Sequence, residues 1–249
     1  MYAKADDNSP VVSQVIYGHQ VEILDEDKNY TYIKSTDDYK GWVNSSCLTP
    51  QKKSNSKKIR TAHNIVHLYH TPHVTKQKPL LSLPYGVELN VIQELPEEKD
   101  RWIEVELLNH ERGWIQRGNI TCSNAKLDLD QMFNLGRQFL GLPYTWGGTS
   151  SFGFDCSGFI QTLFREKSIE LPRDAHQQIE CCEPIKIISS GDLIFYGSGP
   201  SKIQHVSLYL ANDQIIHASV IPIPLVQISP IDEPTLKERF PFSTFRRIS

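Results

Sequence analysis

The sequence predicts a multidomain chain in which two small all-β barrels precede an α+β domain. Three observations carry that prediction: a strand-and-turn pattern that occurs twice, a change to helical periodicity near residue 127, and a closing run of strands behind it. The 249 residues suffice for one large or two to three small domains, and 39% hydrophobic content is enough for folded cores.

The first unit alternates in short bursts, Val21-Glu22-Ile23-Leu24 and Tyr30-Thr31-Tyr32-Ile33, around the charged turn Asp25 to Asn29, and closes with Gly41-Trp42-Val43. The second repeats the plan. Tyr85-Gly86 matches Tyr17-Gly18, Trp102 to Val105 matches Tyr30 to Ile33, and Gly113-Trp114-Ile115 matches the closing triplet. We expect a first barrel over 1–50, a polar linker over 51–60, a second barrel over 61–122 and a third domain over 123–249. The lysine-rich run Gln51 to Lys58 has no periodicity and reads as solvated linker. His63, His67, His70 and His73 are dense enough to raise a metal site, but Pro72 and the strand-forming Ile65, Val66 and Tyr69 argue against a shared face.

From Leu127 the apolar residues Leu129, Met132, Phe133, Phe139 and Leu140 recur with helical period, behind Asp128 and ahead of Gly141 and Pro143. Phe154-Asp155-Cys156-Ser157-Gly158-Phe159 then opens a second amphipathic run through Ile160, Leu163 and Phe164, which puts Cys156 near the first turn of a helix. There the unpaired N–H groups and the helix dipole favour a thiolate. Taken alone, the same cysteine could as well be a buried apolar residue. The strands Asp192 to Tyr196, His205 to Leu210 and Gln214 to Ala218 follow, and two of them carry a histidine. Helices first and antiparallel strands after make an α+β domain.

A cysteine nucleophile needs a base in reach and a third group to orient that base. His205 and His217 meet both needs only if they share a face of one hairpin. A two-residue loop at Asn212-Asp213 would pair 217 with 208 and turn the rings apart. A three-residue loop, Ala211-Asn212-Asp213, pairs 217 with Ser207 and makes His205 its diagonal neighbour, about 7 to 8 Å away between Cα atoms. The longer loop is therefore expected. His205 would take the thiol proton to give a thiolate–imidazolium pair, with His217 fixing its tautomer. The backbone N–H of Cys156 and the Tyr144 hydroxyl would hold an oxyanion.

Pro143-Tyr144-Thr145-Trp146-Gly147-Gly148, the Asp155-Cys156-Ser157-Gly158 stretch, Leu171-Pro172-Arg173-Asp174, Gly191-Asp192-Leu193-Ile194-Phe195, the strand at His205 and Ile216-His217-Ala218 stand in the order found in NlpC-type cell-wall cysteine peptidases. The first two units, with their repeated Gly-Trp endings, resemble bacterial SH3-like domains. The resemblance implies two SH3-like barrels and a papain-like catalytic domain, with Cys156 as nucleophile, His205 as base, His217 as third member and Tyr144 as oxyanion helper. It implies no metal or organic cofactor. The layout resembles γ-D-glutamyl-L-diamino acid endopeptidases, which cut the γ-D-glutamyl bond to meso-diaminopimelate or another diamino acid in stem peptides with a free N-terminal L-alanine. That subclass implies Tyr39 and Asp155 as the amine site. Ser157 and Trp146 are further candidate substrate contacts, and Arg173 and Asp174 match a loop lining the groove, with the guanidinium available to a peptide carboxylate. Ala175 departs from relatives that carry serine there.

Other readings stay open: an inactive cell-wall peptide-binding protein, or another amidase or acyltransferase on the same scaffold. The net charge of −3 argues against nucleic acid, and no apolar run approaches a membrane span. The 5 cysteines are odd in number and irregularly spaced, which fits a reducing compartment, and the adjacent Cys181 and Cys182 match nothing catalytic. We expect a monomer acting on muropeptides, cytoplasmic as the chain stands because no signal core follows Met1, or periplasmic if such a segment was removed.

Overall fold

The computed structural model describes residues 1–50, 56–92, 101–122 and 125–248. In the first unit, β1 (Glu22–Asp27), β2 (Tyr30–Lys34) and β3 (Lys40–Asn44) form an antiparallel sheet in sequence order. Thr31 and Ile33 of β2 and Gly41 and Val43 of β3 point inward, the period-two pattern of a half-buried strand. Met1, Ile33 and Val43 make the small core.

The second unit begins with β4 (Lys58–Thr61), inside the stretch expected as linker; residues 51–55 of that linker lie outside the described residues. Ile59 and Thr61 of β4 are buried while their neighbours are not, so alternation, not the lysine count, decides its state. β5 (Val66–Tyr69), β6 (Leu81–Leu83), β7 (Glu88–Val91), β8 (Trp102–Glu106), β9 (Arg112–Gln116) and β10 (Ile120–Thr121) complete a 7-stranded sheet in the order β10-β4-β7-β8-β9-β5-β6. The repeat read in the sequence recurs in the register. Tyr30 pairs with Asn44 and Ile33 with Gly41 in one unit, and Trp102 with Gln116 and Val105 with Gly113 in the other. A Cβ on Gly41 would sit 3.1 Å from the Met1 Cβ, and one on Gly113 3.3 Å from Leu68 Cδ2. Glycine before tryptophan thus lets each strand close on its core.

The third domain opens with α1 (Leu129–Gln138), capped by Asp128 through a reciprocal bond pair with Gln131, as the acidic start predicts. The short strands β11 (Thr149–Ser150) and β12 (Gly153–Phe154) lead into α2 (Cys156–Arg165), followed by α3 (Ala175–Gln178) and β13 (Glu183–Pro184). The strands β14 (Leu193–Gly197), β15 (Ile203–Ala211), β16 (Gln214–Ser219) and β17 (Leu225–Pro230) come next, then α4 (Pro234–Arg239) and β18 (Phe242–Arg247). They form a 6-stranded antiparallel sheet, β13-β18-β14-β15-β16-β17. α1 and α2 cover one face, where Met132, Phe139, Phe159, Leu163, Val206 and Ile216 share a core. The expected boundary at 122/123 falls beside residues 123–124, which are outside the description. Among the described residues no helix is long and apolar enough to cross a membrane.

Both barrels dock on the third domain through polar contacts. Ser13 accepts from Arg173 and Gln14 accepts from the Thr149 N–H on the first side. On the second, Arg60 pairs with Glu166 through both terminal nitrogens, and Ser151 accepts from the Tyr85 N–H.

Candidate active site

Cys156 is the first residue of α2 and Asp155 its N-cap, accepting from the Gly158 N–H at 2.7 Å. At that position the Cys156 N–H has no intrahelical acceptor and stays available to a ligand oxygen. The sulfur lies against β15, 4.0 Å from the Gln204 carbonyl oxygen, and the Val206 and Ser157 N–H groups point at it. His205 stands between those two strand residues. Its Nε2 is 2.9 Å from Nδ1 of His217, so Nδ1 is the ring nitrogen not engaged with the second imidazole. His217 Nε2 in turn meets Ser229 Oγ at 3.2 Å.

The shared face of the two histidines is reached by a different route from the one expected. Ala211 pairs with Gln214 across a two-residue turn, Asn212 (φ 49°) and Asp213 (φ 57°), and not across a three-residue loop. Positive φ at both positions is the primed turn that matches strand twist. The register then shifts between Tyr209 and Ala211, so that Leu208 faces Ile216. This bulge in β15 supplies the extra residue assigned to the loop. Carried one step further, the register sets His217 opposite Ser207 and on the His205 side.

Burial sets the charge state. The Cys156 thiol is pushed up to about 12, chiefly by burial and then by the Asp155 carboxylate. His205 is held well below the ordinary imidazole range by burial and by His217, and burial alone brings His217 to about 3. In the free site desolvation outweighs the helix dipole, which contributes at most about 2 kcal/mol. Burial thus works against the charged forms of both groups of the expected thiolate–imidazolium pair in the free site. The Tyr144 hydroxyl is raised by burial, Cys156 and Asp155, and so stays a proton donor at neutral pH.

The other expected contacts separate into two groups. Arg173, 1% exposed, makes a fork with both Asp155 oxygens, accepts no solvent role, and also donates to Ser157 Oγ and Ser13 Oγ. Four of its five N–H donors are thus engaged within this chain. Asp155 accepts in addition from the Gly147 and Gly158 N–H groups, so its charge is already compensated. The Ser157 hydroxyl is buried and engaged with Asp155 and Arg173 rather than turned to a substrate. In contrast, Tyr39 of the first barrel faces Asp174, and both are only half-buried. Burial and Asp174 raise the phenol, and burial raises the carboxyl of Asp174. Trp146 is 70% exposed, on the segment that Thr145 ties to Phe154 and Gly147 ties to Asp155.

Residues 141–243 match the model of the NlpC/P60 family, and residues 1–49 match the bacterial SH3 domain. The chain carries an NlpC/P60 domain behind a bacterial SH3 domain. It is similar to the γ-D-glutamyl-L-lysine dipeptidyl-peptidases of Bacillus cereus, at 27% identity over 92% of this chain and 73% of that one, and of Bacillus subtilis, at 29% over 84% and 72%. A crystal structure of an NlpC/P60 family protein from Bacillus cereus superposes with a TM-score of 0.81 at 28% identity, covering 95% of this chain and 82% of that one.

Two parts of the NlpC/P60 site escaped sequence reasoning. Phe240, C-terminal to α4, stacks on the His205 ring at 5.6 Å with planes 3° apart, and Tyr196 lies 5.5 Å from its centroid. Ser229 reaches His217 from β17, where His217 pairs with Gln227. Neither carries a local signal. Only the pairing of β16 with β17, and the return of the chain after α4, bring them to the imidazoles.

Proposed function

We propose that this protein is a cysteine endopeptidase of small peptidoglycan stem peptides, cutting the amide between γ-D-glutamate and a diamino acid when the L-alanine amine is free. The observation that carries the reading is the meeting of Tyr39 and Asp174 across a domain boundary beside the Cys156 helix. Asp174 lacks the arginine fork that neutralises Asp155, and its carboxylate and the Tyr39 hydroxyl suit an ammonium group. The likeness to two peptidases named for γ-D-glutamyl-L-lysine supports the bond class.

In the proposed reaction the Cys156 sulfur attacks the γ-carbonyl carbon as its proton moves to His205 Nδ1. The Cys156 N–H and the Tyr144 hydroxyl receive the oxyanion. The intermediate collapses to a thioester when His205 returns the proton to the leaving amine. Water, giving its proton to His205, then attacks the thioester carbonyl; the C–S bond breaks, the Cys156 sulfur takes that proton back from His205, and L-Ala-γ-D-Glu leaves. The proton chain is self-consistent: His205 Nε2–H donates to His217 Nδ1, and His217 Nε2–H donates to Ser229 Oγ. His205 Nδ1 is then left as a base.

The test is hydrolysis of L-Ala-γ-D-Glu-L-Lys and its meso-diaminopimelate counterpart by the wild-type chain and by Cys156→Ala, with N-acetylated peptides alongside. Cleavage of the free-amine peptides by the wild type alone is expected. Equal turnover by both proteins, or release of peptides from intact glycan-linked strands, would overturn the proposal.

A further inference from the structure

The Tyr39–Asp174 pair draws its two members from separate domains, so something must hold them at a fixed spacing. We infer that Gln161 is a positioning residue for substrate selection, clamping the Tyr39 turn and the Asp174 loop to the helix that carries Cys156. Gln161 lies on α2, is 1% exposed, and its side-chain nitrogen donates one hydrogen to Asp37 Oδ2 at 2.9 Å and the other to the Leu171 carbonyl at 2.9 Å. Asp37 stands two positions before Tyr39, and Leu171 three before Asp174.

The turn is stiff on the barrel side. Asp37 Oδ1 accepts from Ser35 Oγ at 2.5 Å and from the Tyr39 N–H at 3.4 Å, and Asp38 takes a left-handed φ of 62°. A displacement of Asp37 therefore carries Tyr39 with it. The loop side is equally tied: Gln178 donates to the Pro172 and Ser157 carbonyls, and Arg173 is held by Asp155. Beside the Ser13–Arg173 and Gln14–Thr149 contacts, this amide is the link that joins the Tyr39 turn directly to the loop of Asp174 and to the helix of the sulfur. Ammonium recognition by two charge-assisted bonds depends steeply on that geometry.

The inference rests on the free-amine reading, and the experiment separates the two. Gln161→Met and Asp37→Ala, singly and together, are assayed on L-Ala-γ-D-Glu-L-Lys and on its N-acetyl form. Each single variant is expected to lower the preference for the free amine about tenfold, through KM, with kcat within about twofold and Cys156 alkylation by iodoacetamide unchanged. The double variant should lose less than the sum of the two, because both cut the Gln161–Asp37 bond while each also removes bonds of its own. Should Gln161→Met fold poorly, Asp37→Asn decides, since its Oδ1 keeps the Ser35 and Tyr39 bonds, its amide nitrogen replaces the oxygen that accepts from Gln161, and the bond to Leu171 stays intact. Wild-type preference retained in Asp37→Asn overturns the clamp and leaves the free-amine reading standing. Equal cleavage of both peptides by the wild-type chain, or of neither, overturns that reading and this inference with it.

Discussion

His205 Nε2 lies 2.9 Å from His217 Nδ1, with the two rings inclined at 66°. That contact engages Nε2 of His205 and leaves Nδ1 for the proton transfer proposed above, while the Ser229 hydroxyl beyond it meets Nε2 of His217. His217→Ala is expected to lower kcat by about 10²-fold, the lower range of a general-base contribution. Ser229→Ala should give a smaller loss and Ser229→Thr should restore most of it, since threonine keeps the acceptor. Steady-state kinetics on the lysine tripeptide decides; a Ser229→Ala enzyme with unaltered kcat removes the hydroxyl from the chain.

The thiol chemistry predicts a pH response. With Cys156 pushed up to about 12 and His205 well below the ordinary imidazole value, neither group is charged near neutrality. Alkylation of Cys156 in the free enzyme should climb steadily with pH through 9 and show no plateau in the range of about 4 to 7, where a preformed ion pair would give one. A flat, fast rate from about pH 5 upward would contradict the neutral resting pair.

Stability should depend on pH through His217. Its folded value of about 3 lies below the ordinary imidazole value of about 6.5, so the unfolded chain takes the proton first as pH falls. Its contribution is complete above about 6.5, shrinks below that, and is lost by about 3, an effect on the order of 5 kcal/mol. Melting temperatures between pH 7 and 4 should drop for the wild type, and less steeply for His217→Asn.

Arg173 and Asp155 form a buried fork, with Nη2–Oδ2 at 2.5 Å. Arg173→Ala leaves a buried carboxylate without its charge partner and should destabilise the fold by about 3 to 5 kcal/mol. Arg173→Lys keeps the charge but not the fork, and should fall between. Urea unfolding measures both; an Arg173→Ala protein of wild-type stability but raised KM would instead return the guanidinium to the substrate.

At the helix start, a Cβ on Gly158 would stand 2.2 Å from the Gly148 carbonyl oxygen. Both partners carry neighbouring site groups, so neither can yield freely. Gly158→Ala should cost about 1 to 3 kcal/mol of stability and slow catalysis by shifting Cys156, as thermal unfolding and kcat together will report.

Much of the architecture was legible because its signals are local. The twice-used Gly-Trp ending reports a strand closing on a core, and the Asp128 start and Gly141 stop bracket α1 within a residue or two. Lys58 to Thr61 went unread because lysine and arginine there obscured an alternation that only a buried Ile59 reveals. In the hairpin, the pairing of His217 with the Ser207 position followed from needing both imidazoles on one face. The device that achieves it, a bulge near Leu210, leaves no mark on composition.

The order of residues along the chain by itself determined the two barrels and the helix that presents Cys156, and it singled out His205 and His217 as candidate partners of the thiol. Each depends on neighbours within a turn or a strand repeat. Tertiary structure alone decided how the charges meet, forking Arg173 onto Asp155 and setting Asp174 beside Tyr39 with Arg173 and His176 nearby. It alone added Ser229, Phe240 and Gln161 to the site. The physical reason is that a carboxylate's partner and a side chain's burial are set by groups far away in the chain, and these meet only once three domains have packed.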